Sequence, residues 1–126
     1  MSAVERGLRT VTIPSGSDLS AIQYHFVDVD SGGQIIIPTA AGAKAIGVLQ
    51  NTPAAADADA IIGISGISSV VAGGTIAAGA LVQAGADGTA LAVASGDYAL
   101  GTAVTGGAIG DILEVLLLGG AGNITA

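Results

Sequence analysis

The chain has 126 residues and a formal charge of −7, ten acids against three bases, which fits one acidic domain. That balance excludes the basic footprint of a nucleic-acid binder and opposes an anionic membrane surface; the absence of cysteine excludes disulfides, thiolate zinc sites and a cysteine nucleophile. Hydrophobic residues make up 51% of the chain and are nearly all aliphatic, with one Phe, two Tyr and no Trp, while 21 glycines predict many tight turns and close packing of small side chains.

In chain order, Met1 to Ser20 reads as an extended N-terminal arm. It is polar, contains "PSGS" and lacks helical periodicity. Two of the three cations, Arg6 and Arg9, lie here, whereas everything after Ser20 carries Lys44 alone against eight acids. The arm has charges of both signs and no apolar run, so no secretory signal is expected. "AIQYHFVDVD" (21–30) reads as a strand, with Tyr24, Phe26, Asp28 and Asp30 on one side and Gln23, His25, Val27 and Val29 on the other. "SGG" is a turn, "QIIIP" a short strand ended by Pro38, and "KAIGVLQNTP" a further strand closing at Pro53. "AAADADA" is a small-residue loop or helical turn.

Residues 60–86, "AIIGISGISSVVAGGTIAAGALVQAGA", carry no charge and have the length of a membrane span. Six glycines interrupt them, Asp57, Asp59 and Asp87 flank them in place of cationic or aromatic anchors, and the apolar residues are largely β-branched. The stretch therefore predicts two or three buried strands joined by turns. "LVQAGADGTALAV" then reads strand, turn, strand, with Asp87-Gly88 at a tight type I′ hairpin tip. "ASGD" turns the chain again, "YALGTAV" is a strand, "TGGAIGD" a turn and "ILEVLLL" a last strand expected to be covered on both faces. The whole predicts an all-β fold, a small glycine-rich β-barrel or β-sandwich at 21–118, with the arm at 1–20 and a flexible C-terminal tail at 119–126.

The ordered motifs resemble the small phage head-decoration proteins, also called capsid cement proteins. The resemblance runs from about Ser20 to Leu118. It rests on "GVLQNTP" (47–53), Gly66, the "VAGGTIAAGALV" stretch (71–82), Asp87-Gly88, "ASG" (94–96), "GTA" (101–103) and "GDILEVLL" (110–117). Two positions depart from it, Ala80 where members often place an acid and the "AAADADA" connection where they often carry glycine. The resemblance implies a non-enzymatic structural virion protein, made in the host cytoplasm and bound to the outer surface of an icosahedral capsid. Its partner would be the major capsid protein, whose neighbouring subunits it would cement against internal DNA pressure. It also implies a homo-oligomer, a trimer being favoured, and no cofactor, nucleic acid or membrane partner. Arg6 and Arg9 are the candidate capsid contacts. The rival reading is a membrane-associated or pore-forming protein using 60–86.

The same residues bear on other chemistry. Asp28, Asp30 and Gly32 form part of a calcium-loop pattern whose closing Glu is missing. Asp57 and Asp59 read as a charged loop before a cation pair. His25, the single histidine, has Ser20 and Ser31 near it in sequence but no nucleophile elbow. No catalytic or metal residues are therefore assigned. A β domain is expected to stay dissolved without detergent as a monomer or small oligomer in light scattering after gel filtration; a requirement for detergent would restore the membrane reading.

Overall fold

The computed structural model describes residues 7–38, 40–94 and 96–117, and the backbone of 123–124. Eleven strands form among them: β1 (Arg9–Pro14), β2 (Phe26–Val29), β3 (Ile35–Ile36), β4 (Gly47–Leu49), β5 (Asp59–Val71), β6 (Leu81–Ala84), β7 (Ala90–Ala92), β8 (Tyr98–Ala99), β9 (Gly101–Ala103), β10 (Ile112–Leu117) and β11 (Asn123–Ile124). Nine belong to one sheet, with the path β3-β2-β4-β5-β10-β9-β6-β7 and β1 also paired to β5; β8 and β11 form a separate pair. The chain is thus all-β, and its main sheet curls into an open half-barrel. Isolated bridges draw in both ends of the path, Ser15 to Ile35 beside β3 and Ala72 to Ala90 on β7.

β5 explains how the sheet is built. Its β-branched run favours a strand, and its even-numbered residues Ala60, Ile62, Ser68 and Val70 are buried, the period-2 pattern of a strand with one face inward. Its first half pairs with β1 and β4, its second half with β10. Ala60 and Ile62 join one core cluster with Leu19, Val27, Ile35 and Leu49; Val70 joins the other with Phe26, Val82, Leu113 and Val115. β2 also serves both clusters, since Phe26 and Val27 point to opposite faces and are both buried. Residues 60–86 therefore fold as β5, β6 and their connection, and no helix of the described residues is long and apolar enough to cross a membrane.

Several expectations are revised. The strand expected over 21–30 begins only at Phe26, because Tyr24 adopts φ 65°. Both its backbone groups are held there: its N–H donates to Leu49 O at 2.7 Å and its carbonyl accepts from Val71 N–H at 3.0 Å. Of the expected arm, Met1 to Arg6 lie outside the described residues. Arg9–Pro14 pairs with β5 and Leu19 is buried. In the region read as a tail, Asn123–Ile124 pairs with β8. The last strand is covered on one face only: Leu113, Val115 and Leu117 are buried, whereas Ile112 and Leu116 are 59% and 47% exposed.

The β6–β7 connection differs from the expected two-residue turn. Gly85 N–H donates to Thr89 O at 2.7 Å and Gly88 N–H to Gly85 O at 2.9 Å. That leaves a three-residue tip, Ala86 to Gly88, with Gly88 alone at positive φ (84°), the pattern of a bulged hairpin rather than a type I′ turn. The tip is docked, because Gly88 O accepts Phe26 N–H at 2.7 Å. A Cβ at Gly88 would stand 2.5 Å from Phe26 O. Gly88→Val therefore meets both backbone strain and a clash, and we expect a loss of about 2–4 kcal/mol in denaturant unfolding. An unchanged midpoint would contradict this account of the tip.

Candidate functional site

The docked tip, the end of β5 and the β9–β10 turn line an open depression of about 580 Å³. Val71, Ala72, Leu91 and Ile109 supply apolar walls; His25, Asp87 and Thr89 supply the polar edge. His25 Nδ1 lies 2.8 Å from the Asp87 carbonyl oxygen. A carbonyl only accepts, so Nδ1 is the donor in this contact. Asp87 Oδ1 accepts from the Thr89 hydroxyl at 2.6 Å and the Thr89 N–H at 3.1 Å. Those two bonds, the hydroxyl first, hold the Asp87 carboxyl below its ordinary value of 3.8. This juxtaposition joins residues 62 apart in the chain and left no local signal for sequence reasoning to find.

A second cavity, about 280 Å³, is lined by Leu8, Tyr24, Gln50, Ile67, Ser68 and Ser69. Gln50 Nε2 donates to Val48 O at 3.1 Å and Ser68 Oγ at 2.8 Å, and Ser68 Oγ donates to Ser69 O at 3.0 Å. This network ties β4 to β5 and accounts for the buried Ser68.

The residues considered for metal chemistry do structural work instead. Asp28 pairs with Lys44 at 2.8 Å. Asp30 Oδ1 accepts the N–H groups of Gly32 and Gln34, each at 2.9 Å, capping the turn read from "SGG". Asp57 accepts from Gln34 Nε2 at 2.6 Å. No group of three or more His, Cys, Asp or Glu among the described residues is placed to hold a metal ion. Ser20 Oγ donates to Asp18 at 2.6 Å, and His25 is engaged by a backbone carbonyl, so no Ser-His-Asp relay is assembled from these groups. Of the candidate capsid contacts, Arg9 is exposed on β1 opposite Ser65; Arg6 lies outside the described residues.

The outer face of the curled sheet carries an exposed apolar row that sequence reading missed. Leu116 on β10 neighbours Thr102 on β9, which neighbours Leu81 on β6; on its other side Leu116 neighbours Ile67 of β5. Leu116 and Leu81 are 47% and 42% exposed, and Ile112, on the same face of β10, is more so. Consecutive apolar residues in "ILEVLL" conceal the alternation that would have revealed this face.

The fold is similar to a solved phage structure, the N base of head fiber gp8.5 of bacteriophage phi29. The two share 19% identity and a TM-score of 0.69 over 87% of this chain and 93% of that chain. At this identity the likeness concerns the fold. No family model matches the chain, and no curated protein matches it.

Because the Asp87 carboxyl is depressed in the folded state, its contribution to stability is complete above its ordinary value of 3.8 and is lost as pH falls through the lower folded value. Thr89→Val removes the hydroxyl donor and keeps the N–H. The stability gap between the two proteins is expected to narrow as pH falls from about 5 to about 2 in urea titrations; a gap independent of pH would contradict the assigned cause.

Proposed function

We propose that the chain is a non-enzymatic structural protein of a phage head, bound to the outer surface of the capsid. The observation that carries this reading is the fold shared with the head-fiber N base over nearly the full length of both chains. The ordered motifs resembling head-decoration proteins support the finer statement. In that statement the chain contacts the major capsid protein at joints between subunits and cements them. A protein that binds only the mature shell stabilises it by mass action, and many copies joined in oligomers act with avidity.

The exposed row of Leu81, Leu116 and Ile112 supports self-association, with a trimer favoured, since an apolar patch of this kind on a soluble domain marks a contact surface. Arg9, with Arg6 ahead of it, is the proposed contact to acidic groups on the shell. Residues 60–86, which motivated the membrane reading, are taken up by β5, β6 and their connection, and no helix of the described residues is long and apolar enough to cross a membrane.

Heads lacking the protein, mixed with the purified chain and pelleted, should carry it down saturably and should release DNA at a higher temperature. Protein left in the supernatant at micromolar concentrations would overturn the reading. Arg9→Glu should weaken the binding about 3- to 10-fold, more at low salt, as expected for a rim charge; equal binding would remove Arg9 from the interface.

A further inference from the structure

Asp87-Gly88 is the single Asp-Gly step in the chain. Such a step has a reactivity of its own. The backbone nitrogen of the following residue can attack the aspartate side-chain carboxyl carbon, and glycine lacks the Cβ that hinders this approach elsewhere. After Asp30, Asp57 and Asp59 stand Ser31, Ala58 and Ala60, each with a Cβ. The attack needs a nitrogen released from its hydrogen-bond acceptor and an uncharged carboxyl, since a carboxylate is a poor electrophile. The folded tip withholds both. Gly88 N–H donates to Gly85 O at 2.9 Å. Asp87 Oδ1 accepts the Thr89 hydroxyl at 2.6 Å and the Thr89 N–H at 3.1 Å, bonds that favour the charged form and hold the carboxyl below its ordinary value. The other end of Gly88 is pinned too. Its carbonyl accepts Phe26 N–H at 2.7 Å, and a Cβ on Gly88 would stand 2.5 Å from Phe26 O, so the tip backbone has little room to shift.

We propose that Asp87-Gly88 is a self-modification site, able to rearrange to an isoaspartyl linkage and kept closed by the docking of the hairpin tip on Phe26. In the open tip the Gly88 nitrogen bonds to Asp87 Cγ; its proton and the carboxyl hydroxyl leave as water, giving a five-membered succinimide. Water then adds at the Asp87 α-carbonyl carbon. The bond from that carbon to the Gly88 nitrogen breaks, and the nitrogen, still bonded to Cγ, takes the proton. One water leaves and one returns, nothing is oxidised or reduced, and the main chain now runs through the Asp87 side chain, one atom longer. In a three-residue tip held at both ends of Gly88, that atom forces Gly88 O off Phe26 N–H. Phe26 is buried and begins β2, so the rearrangement releases the hairpin from the strand that serves both core clusters. The inference stands apart from the capsid reading, because it concerns the chain alone.

The test ages the full chain at neutral pH and physiological temperature beside a peptide of residues 85–91, which is too short to hold the tip. Isoaspartate at residue 87 is quantified in both by mass spectrometry. A chain that reacts only while its tip is open proceeds at the peptide's rate multiplied by the open fraction, and we expect it to be at least about 30-fold slower than the peptide. Thr89→Val, which removes the hydroxyl donor, should speed the reaction of the full chain about 5- to 10-fold. Ile62→Val, a mild change in the other core cluster, should leave the rate within about twofold, because the opening is local. The isomerised chain, separated by chromatography, should show faster hydrogen exchange at the Phe26 amide. A full chain that isomerises as fast as the peptide, a Thr89→Val protein no faster than the parent, an Ile62→Val protein accelerated as much as Thr89→Val, or unchanged exchange at Phe26 in the isomerised chain would each overturn the proposal.

Discussion

The fold depends on β5 serving two cores at once. Thirteen residues of one strand give Ala60 and Ile62 to one cluster and Val70 to the other. Its edge partners change midway: β1 runs to Ser65, and β10 begins at Gly66. Gly66 has φ 89°, a conformation open to glycine and costly for other residues. That residue lets a single strand turn from one half of the sheet to the other without ending. The alternation of inward residues survives on both sides of it, so the two halves bury their apolar faces through one continuous backbone. β2 repeats the device on a smaller scale, with Phe26 and Val27 buried in opposite clusters.

The acidic composition has an architectural cause. Asp18, Asp30, Asp87 and Asp111 each accept a backbone N–H two to four residues away or three residues back. These are turn caps, in which a short carboxylate satisfies donors that the turn leaves without a ladder partner. A chain of short strands needs many such turns, so it accumulates aspartates, and among the described residues no three of them gather with other acids or His to hold a metal ion. Asp87 is the member of this set with a second consequence, because its cap sits at the rim of an aliphatic cavity. The same turn economy explains the glycines, of which Gly88 meets a docked carbonyl and a positive φ together.

Much of this was legible beforehand. Strands around Ile35, Val48, Val82 and Val115 were expected from the Gly, Pro and Asp residues that separate them, because turn residues act locally, although β3 and β4 proved shorter than the runs ending at Pro38 and Pro53. The strand nature of residues 60–71 was legible from β-branching against interrupting glycines. Four things were not. The pairing of Arg9–Pro14 with β5 is a long-range contact whose local sequence, mostly exposed, has no apolar face to announce it. The turn at Tyr24 is imposed by hydrogen bonds to Leu49 and Val71, overriding an alternating pattern that reads as strand. The open face of β10 was hidden because Ile112 and Leu116 are as apolar as the residues facing inward. The cavity edge, joining His25 to Asp87, arises only when the hairpin tip docks on β2.

The functional account follows from the same construction. A domain made of short strands around a shared central one is small and presents broad sheet faces and turns, with no Ser-His-Asp relay assembled from the groups considered. Its fold is similar to that of the head-fiber N base, and under the proposed function such a body attaches to a larger surface. The most direct measurement is a cryo-electron microscopy comparison of phage heads purified with and without this protein. The account predicts difference density of this domain's size on the outside of the capsid, placed across joints between capsid subunits. Heads with identical outer surfaces, or density confined to the interior, would contradict it.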